Sequence, residues 1–304
     1  MLEFKEISLD DKDRADALIK ESNLQGAEYC FTALYIWRMV YKTAFCFYKD
    51  FLFVRSFTNH GGQIHLNYLY PVGHGNLEEA IELLRQDAIR LNVKFNIGGI
   101  FKEQKEILTN LFPNKFDFKL ERDISDYIYS ASDLISLKGK KFQSKRNHAS
   151  KFKALDNWEY QQITKENTQE CLQMNTKWCK MHNCIQNLSL NSESCSVKEA
   201  LKNFDVLKLR GGLLRLHGEI VAFSIGEMLN NNTFLVHIEK AFPDIRGAYP
   251  TISQEFLSHQ QDLNFQFVNR EDDAGDQGLR TAKMQYNPLY ILEKWKAFEK
   301  LSNN

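Results

Sequence analysis

The sequence predicts an α+β protein in which one architecture is built twice, each time as a mixed, mostly antiparallel sheet flanked by helices. Three observations carry this. The order strand, helix, hairpin, strand, helix, strand, helix occurs early in the chain and again from Trp158 onward. Apolar residues alternate in the hairpins and recur at i, i+3 and i+4 in the helices, the periods of strand and helix. The length, 304 residues, suits two domains of about 150 residues each.

The elements follow in order. Phe4 to Ile7 reads as a short strand leading through polar residues into a helix. "LYIWRMVY" reads as an amphipathic helix with Trp37 in the core. "AFCFYKDFLFVRSF" is a hairpin turning at Tyr48-Lys49-Asp50. "IHLNYLYPVGHGN" is a strand ending at Pro71, with Gly75 four residues on. A helix over 76–91 shows Leu77, Ala80, Ile81, Leu84, Ala88 and Leu91 at helical spacing, capped by Asn76 with Glu79. "VKFNI" is the next strand, and a helix closes the half. The second half repeats this: a strand from Trp158 to Ile163, a helix with a capping box of Asn167 and Glu170, and a hairpin "GGLLRLHGEIVAFSIGEML" turning at His217-Gly218-Glu219. "FLVHIEKAFPDIRGAY" is a strand whose Pro243 again precedes a glycine, Gly247, by four. A helix over 250–263, carrying Ile252, Phe256, Leu257 and Leu263, leads to the strand "FQFVN" and a last helix. This order resembles the acetyltransferase-like (GNAT) domain, so two tandem GNAT-like domains are expected. The expected boundaries are 1–130, a basic connector at 131–157, and a catalytic domain at 158–304.

Composition narrows the function. Hydrophobic residues are 43% and charged residues 26%, with 22 Phe and 12 Tyr to fill two cores. Five prolines and no low-complexity tract exclude a long disordered linker. Net charge is zero, which excludes a wholly basic surface but allows a local patch. No apolar run approaches the ~20 residues that span a bilayer. The opening "MLEFKEISLDDKDR" lacks a signal-peptide core, so a cytoplasmic location and reduced thiols are expected. Of the six cysteines, Cys179, Cys184 and Cys195 cluster with His182. Their spacing lacks the paired knuckles of a zinc site, and buried free thiols are expected, with no metal.

The charge is concentrated in one place. "KGKKFQSKRNHASKFK" carries seven cations, Lys138, Lys140, Lys141, Lys145, Arg146, Lys151 and Lys153, and no acid. An anion beside it would relieve their repulsion, and Arg146 suits a phosphate gripped by two parallel hydrogen bonds. Asn147 and His148 add neutral donors, and Phe142 and Phe152 anchor the stretch. A solvated helix face is the alternative. Further candidates lie downstream. His237 and Glu239 fall on one face of their strand, placed for a general base. Ala222, Ser224 and Gly226 leave room along the neighbouring strand for a substrate, whose oxyanion backbone N–H groups would hold. Arg246 and Gly247 form an incomplete version of the glycine loop that cradles coenzyme A pyrophosphate at a helix start in GNAT enzymes. Gly73 and Gly75 form another without the arginine. In "NREDDAGDQGLRTAKMQY", Arg280, Lys283 and Tyr286 share a helix face at spacings of three. The acidic run Glu271, Asp272 and Asp273 would receive an amine, or would pair with Arg270 and Arg280 to fix the turn, with Asn269 beside it.

The stretch from Asp126 to Leu155 and the segment "FVNREDDAGDQGLRTAKMQYNP" resemble a family of bacterial proteins related to the C-terminal domain of phosphatidylglycerol lysyltransferase. Through that family and the Fem-type peptidyl transferases, the resemblance implies transfer of an aminoacyl group from charged tRNA. Lys283 with Tyr286 resembles the lysine before an aromatic of Fem-type transferases. An acyl or aminoacyl transferase is therefore expected, with tRNA or coenzyme A as donor. Glu239 or His237 would be the base, Lys283 the oxyanion partner and Tyr286 an acid. Lys141, Lys145 and Arg146 would hold the donor's phosphate. A non-catalytic anion- or nucleotide-binding protein and a coenzyme A-dependent N-acetyltransferase are the alternatives.

Overall fold

The computed structural model describes residues 2–60, 63–260 and 262–300. Its packing divides the chain into two units. The first is Met1–Asp126 with Asp272–Asp276 and Ile291–Asn304; the second is Tyr127–Glu271 with Gln277–Tyr290.

The first unit contains β1 (Lys5–Glu6), α1 (Lys12–Ser22), α2 (Phe31–Ile36), α3 (Arg38–Tyr41), β2 (Ala44–Tyr48), β3 (Phe51–His60), β4 (Gln63–Leu69), β5 (Val72–Gly73), α4 (Leu77–Arg90), β6 (Asn96–Ile100), α5 (Lys102–Leu111) and β7 (Phe116–Leu120). The second contains β8 (Asp126–Ser130), α6 (Ala131–Ser136), α7 (Gln143–Lys153), β9 (Trp158–Gln162), α8 (Thr168–Met181), α9 (Leu188–Lys202), β10 (Arg210–Leu216), β11 (Glu219–Met228), β12 (Thr233–Ala241), α10 (Ala248–Ser258), β13 (Phe267–Asn269), α11 (Gln277–Met284) and β14 (Tyr290–Leu292). The last strand, β15 (Trp295–Glu299), returns to the first unit's sheet.

Both sheets are mixed and mostly antiparallel, as the periodicity predicts. Their strand orders are β1-β2-β3-β4-β6-β15-β7, with β5 beside β3, and β14-β8-β13-β12-β11-β10-β9. Each contains a parallel pair joined through a crossover helix: β4 with β6 through α4, and β12 with β13 through α10. A parallel neighbour cannot be reached by a tight turn, so a helix must carry the chain back. The second hairpin turns at His217 (φ 51°) and Gly218 (φ 86°), both in the left-handed region that a two-residue type I′ turn requires. Asn76 caps α4 as expected, its side chain accepting from the Glu79 amide. The first core gathers Phe53, Leu66, Tyr68, Ile81, Leu84 and Ile97 between the sheet and α4.

Several expectations are corrected. The 131–157 segment is not a connector: α6 and α7 belong to the second unit, where α10 packs on both. Residues 291–300 leave the expected catalytic domain because β15 completes the first sheet between β6 and β7. Lys294, buried beside it, places Nζ 2.7 Å from Asp126 Oδ1 and 2.7 Å from Glu28 Oε2. Burial pushes the Glu28 carboxyl up despite Lys294. The Asn167–Glu170 capping box does not form. Asn167 accepts from the Thr164 amide instead, and Glu170 pairs with Arg215 at 2.8 Å. Trp37 is only half-buried, at the break between α2 and α3. The small face of β11 gives no room along the strand. Helices α8 and α10 pack against β11, Ala222 and Ser224 are buried, and a Cβ on Gly226 would lie 2.3 Å from the Leu235 carbonyl oxygen.

Candidate active site

Helix α7 is built with two faces. Phe142, Lys145, Ala149 and Phe152 are spaced three, four and three apart, so they share one stripe. Phe142, Ala149 and Phe152 are buried along it, which draws Lys145 inward with them. The other side of the helix, with the residues just before it and Arg246, lines an open depression of about 720 Å³. Its lining includes Lys140, Lys141, Ser144, Asn147, His148 and Lys151. No carboxylate stands in that wall. Lys141 reaches out to Asp133 at 2.7 Å, and Arg246 Nη2 comes within 3.5 Å of His148 Nε2.

Gly247 joins α7 to the start of α10. It takes φ 91°, and a Cβ there would sit 2.3 Å from the His148 carbonyl oxygen. Only glycine permits this approach. The first unit's Gly73 is likewise filled by its own fold, since a Cβ there would meet the Asp50 carbonyl oxygen at 2.0 Å.

Lys145 ends against a compact polar cluster. Its ammonium donates to Gln285 Oε1 at 3.0 Å and lies 4.4 Å from the centroid of the Tyr286 ring. Burial, and then the charge of Arg270, push the Lys145 amine below its ordinary range, while Glu239 opposes them. On the same ring stands Arg270, its guanidinium carbon 4.7 Å from the centroid. Arg270 donates to Glu239 Oε1 at 2.6 Å, with side chains 11% and 12% exposed. Burial alone would lower the guanidinium's affinity for its proton, but Glu239 raises it. The Nη1 nitrogen of Arg270 is buried and has no hydrogen-bond partner among the described residues. Burial pushes the Tyr286 hydroxyl well above its ordinary range, against the pull of Arg270. A phenol so placed stays protonated at every physiological pH.

The structure redistributes the other candidates. Arg146 does not face the depression with a free fork: its guanidinium donates to the carbonyls of Leu137 and Gly139, closing the end of α6. The last carbonyls of a helix lack internal partners, and an arginine supplies them. His237 lies at a bulge of β12, with Nδ1 3.0 Å from Glu271 and Nε2 3.0 Å from Glu227, and its side chain is 1% exposed. It is therefore sealed between carboxylates rather than pointing with Glu239 into a cleft. Lys283 Nζ donates to the Arg270 carbonyl at 2.6 Å. Helix α11 stops at Met284, so Tyr286 leaves the shared face with Arg280 and Lys283 and turns inward. The acidic run is distributed: Glu271 to His237, Asp272 to the Ala274 amide at 2.9 Å, and Asp273, buried, to Arg122 at 3.2 Å. Buried Asn269 accepts from the Glu271 amide at 2.7 Å. Arg270 therefore pairs with Glu239 and not with that run. Tyr129 was not singled out by the sequence. It stands beside Val268 through the β8–β13 pairing, 5.7 Å from Arg270, and its hydroxyl donates to the Lys283 carbonyl at 2.9 Å. That pairing joins strands about 140 residues apart in the chain, beyond any local pattern.

The thiols also differ from expectation. Cys30, Cys46, Cys171 and Cys184 are buried, whereas Cys179 is half-buried and Cys195 is exposed. The His182 ring stacks on Trp178 with centroids 3.9 Å apart.

Comparison with known proteins bears on the family and the fold. The profile described as phosphatidylglycerol lysyltransferase, C-terminal, matches residues 19–298. A protein of unknown function from Bacteroides thetaiotaomicron is 39% identical, with 99% of this chain and 100% of that one covered and a TM-score of 0.92. The C-terminal domain of a putative lysylphosphatidylglycerol synthetase from Agrobacterium fabrum shares the fold at 14% identity, covering 97% and 94%, with a TM-score of 0.68. FemX shares it at 11% identity, covering 98% and 97%, with a TM-score of 0.65. An uncharacterised protein of Mycoplasmoides gallisepticum is 24% identical over 193 residues, which are 60% of this chain and 59% of that relative. The two units are thus tandem GNAT-like domains. No helix among the described residues is long and apolar enough to cross a membrane.

Proposed function

Because the chain belongs to the phosphatidylglycerol lysyltransferase C-terminal family, we propose that it is a cytoplasmic acyl or aminoacyl transferase. Aminoacyl-tRNA is the donor, and an amine or hydroxyl is the acceptor. One observation carries the reading. Helix α7 lines a cationic depression with one side and delivers Lys145 to the Tyr286–Arg270–Glu239 cluster with its other side.

The roles follow from the chemistry of each group. Lys140, Lys151 and Arg246 attract the phosphates of the donor, with Asn147 and Ser144 as neutral donors at the wall. Attack of the acceptor on the donor's ester carbon places negative charge on the carbonyl oxygen. The Lys145 ammonium, on the Tyr286 ring, is the cationic donor we assign to that oxygen, with the buried Arg270 guanidinium as the fixed positive charge behind it. The new acyl bond forms as the ester C–O bond breaks. The leaving sugar oxygen takes a proton from Tyr286, which recovers one from the attacking group. Glu239 holds Arg270 in place rather than acting as a free base, because its carboxylate is already paired. Lys283 supports the same cluster through the Arg270 carbonyl, and His237 does so through Glu271.

A coenzyme A donor fits less well. Arg246 and Gly247 open α10 where a pyrophosphate would sit, but the His148 carbonyl already packs against Gly247. That packing accounts for the glycine without a ligand.

The test is tRNA binding and deacylation. Fluorescence anisotropy with aminoacylated bulk tRNA should give a steep salt slope. Lys140→Ala with Lys151→Ala and Arg246→Ala should flatten it by roughly 2 to 3, at about 0.7–0.9 for each phosphate that is no longer neutralised. Tyr286→Phe and Lys145→Met should keep tRNA binding and lose acyl transfer by about 100-fold or more, the scale of one acid or one oxyanion donor. An unchanged slope, or stabilisation by coenzyme A and not by tRNA, would overturn the proposal.

A further inference from the structure

The end of helix α8 brings two thiols together, and its backbone dictates the meeting. The helix closes at Met181, with His182 as its C-cap and Asn183 in the left-handed conformation (φ 51°). The His182 amide donates to the Trp178 carbonyl at 3.1 Å, and the Asn183 amide to the Lys180 carbonyl at 3.4 Å. A left-handed residue bonded back in this way turns the chain over the helix end. The side chain after it then packs on the residue two before the last of the helix, a contact that apolar residues usually make. Here those two residues are Cys184 and Cys179. Cys184 opens a single 3-10 turn, Cys184–Gln186, and is 3% exposed, whereas Cys179 is half-buried. The two thiols are hydrogen-bonded. Burial, and then the bond to Cys179, hold the proton on Cys184 and push its thiol up to about 11. Lys240 of β12 opposes this, and Glu193 of α9, which pairs with Lys240 at 2.7 Å, adds to it.

We propose that Cys179 and Cys184 form a reversible oxidation site, at which a hydroperoxide converts the dithiol into a disulfide that ties the cap of α8. Any apolar pair would serve the cap; two thiols in contact make it oxidisable. Cys179 is the entry, because solvent reaches it, and Cys184 is the resolving thiol, because it is buried against Cys179. The Cys179 thiolate attacks a peroxide oxygen, the O–O bond breaks, and the departing hydroxide takes up the proton that Cys179 released. Cys179 is then a sulfenic acid. The Cys184 sulfur attacks the Cys179 sulfur, the S–O bond breaks, and the Cys184 proton leaves with the hydroxyl group as water. Two thiols and one hydrogen peroxide thus give one disulfide and two waters. A dithiol reductant restores both thiols by exchange through a mixed disulfide. The ring closed is short, so it restricts the unfolded chain less than a long one would, as suits a bond that is made and broken. The site uses none of the residues given roles in acyl transfer and stands independently of that reading.

The experiment uses the full chain carrying Cys195→Ser, a change at an exposed thiol. Trypsin, cutting after Lys177, Lys180 and Lys198, then leaves Cys179 in Trp178–Lys180 and Cys184 in Met181–Lys198, each the one thiol of its peptide. After about ten equivalents of hydrogen peroxide, and maleimide capping in denaturant, the chain should have lost about 2 Da and two capping groups. The two peptides should be joined, and dithiothreitol should part them. Joining should be at least ~10-fold faster in the folded chain than in urea, because the cap holds the sulfurs together. Cys184→Ser should leave Cys179 as a sulfenic acid that dimedone traps, at least ~5-fold more than in the parent. If that variant does not fold, the joined peptide decides alone, since it is read in a chain altered only at Cys195. Peptides that stay separate, a disulfide between two chains, or joining no faster in the folded chain than in urea would each overturn the site.

Discussion

Replacing Glu239 by Gln tests the cluster at its ion pair. The pair joins side chains only 11% and 12% exposed at 2.6 Å, so solvent screens it weakly. Removing one member of a buried pair leaves the other charge uncompensated and costs about 3–5 kcal/mol. Gln keeps the size of Glu and retains one acceptor oxygen, which sets the expectation at the low end, about 3 kcal/mol. For a unit of about 150 residues, each kcal/mol moves the melting temperature by about 2–4 °C, so a fall of roughly 6–12 °C is expected. The assay is urea unfolding in a Trp37→Phe/Trp295→Phe background, where the second unit's Trp158 and Trp178 alone report. Arg270→Met should be costly for the same reason. The double variant should be at least ~2 kcal/mol better than the sum of the singles, because it buries no lone charge. A Glu239→Gln loss below about 1 kcal/mol, or strict additivity, would show that the pair behaves as a solvated surface bridge and would remove Arg270 as a rigid donor.

Two further outcomes follow from the same geometry. The Lys145 amine is pushed below its ordinary range, so between its folded value and about 10.5 the unfolded chain binds more protons and stability rises with pH. Lys145→Met should therefore raise the second unit's stability at pH 7 and flatten its alkaline rise, measured by urea unfolding at pH 7 to 10; an unaltered pH slope would place Lys145 in solvent. Gly247→Ala should cost at least ~2 kcal/mol and weaken tRNA binding, since it combines φ 91° with a Cβ 2.3 Å from the His148 carbonyl oxygen, whereas Gly218→Ala, at φ 86° with open space around it, should cost only ~1 kcal/mol. Equal losses at the two glycines would mean that α7 does not rest on Gly247.

Much of the fold is legible because it is written in local periods. The hairpins, the α4 stripe with its Asn76 cap, and the two crossover helices after Gly75 and Gly247 each follow from neighbours within a few residues. The misreadings share one physical cause. Whether a polar side chain is a site or a fastening depends on what distant strands bring beside it. Arg146 reads as a phosphate fork and closes α6 instead, because Leu137 and Gly139 fold back under it. His237 and Glu239 share a strand face, yet Glu227 and Glu271 claim the first and Arg270 the second. Lys145 is separable from its neighbouring lysines by its place on the Phe142–Ala149–Phe152 stripe, a signal present in the spacing alone.

The sequence by itself determined that two similar α+β units exist, where their turns fall, and that positive charge gathers on one helix. Those properties depend on side-chain period, backbone freedom at glycine, and composition, all of which act over short spans. Only the tertiary structure decided that β15 belongs to the first sheet, that Tyr129 and Tyr286 flank Arg270, and that one lysine among the seven cations turns inward to meet them. Strand pairing and burial couple residues more than a hundred positions apart, and the free energy of that coupling is not contained in any single stretch of chain.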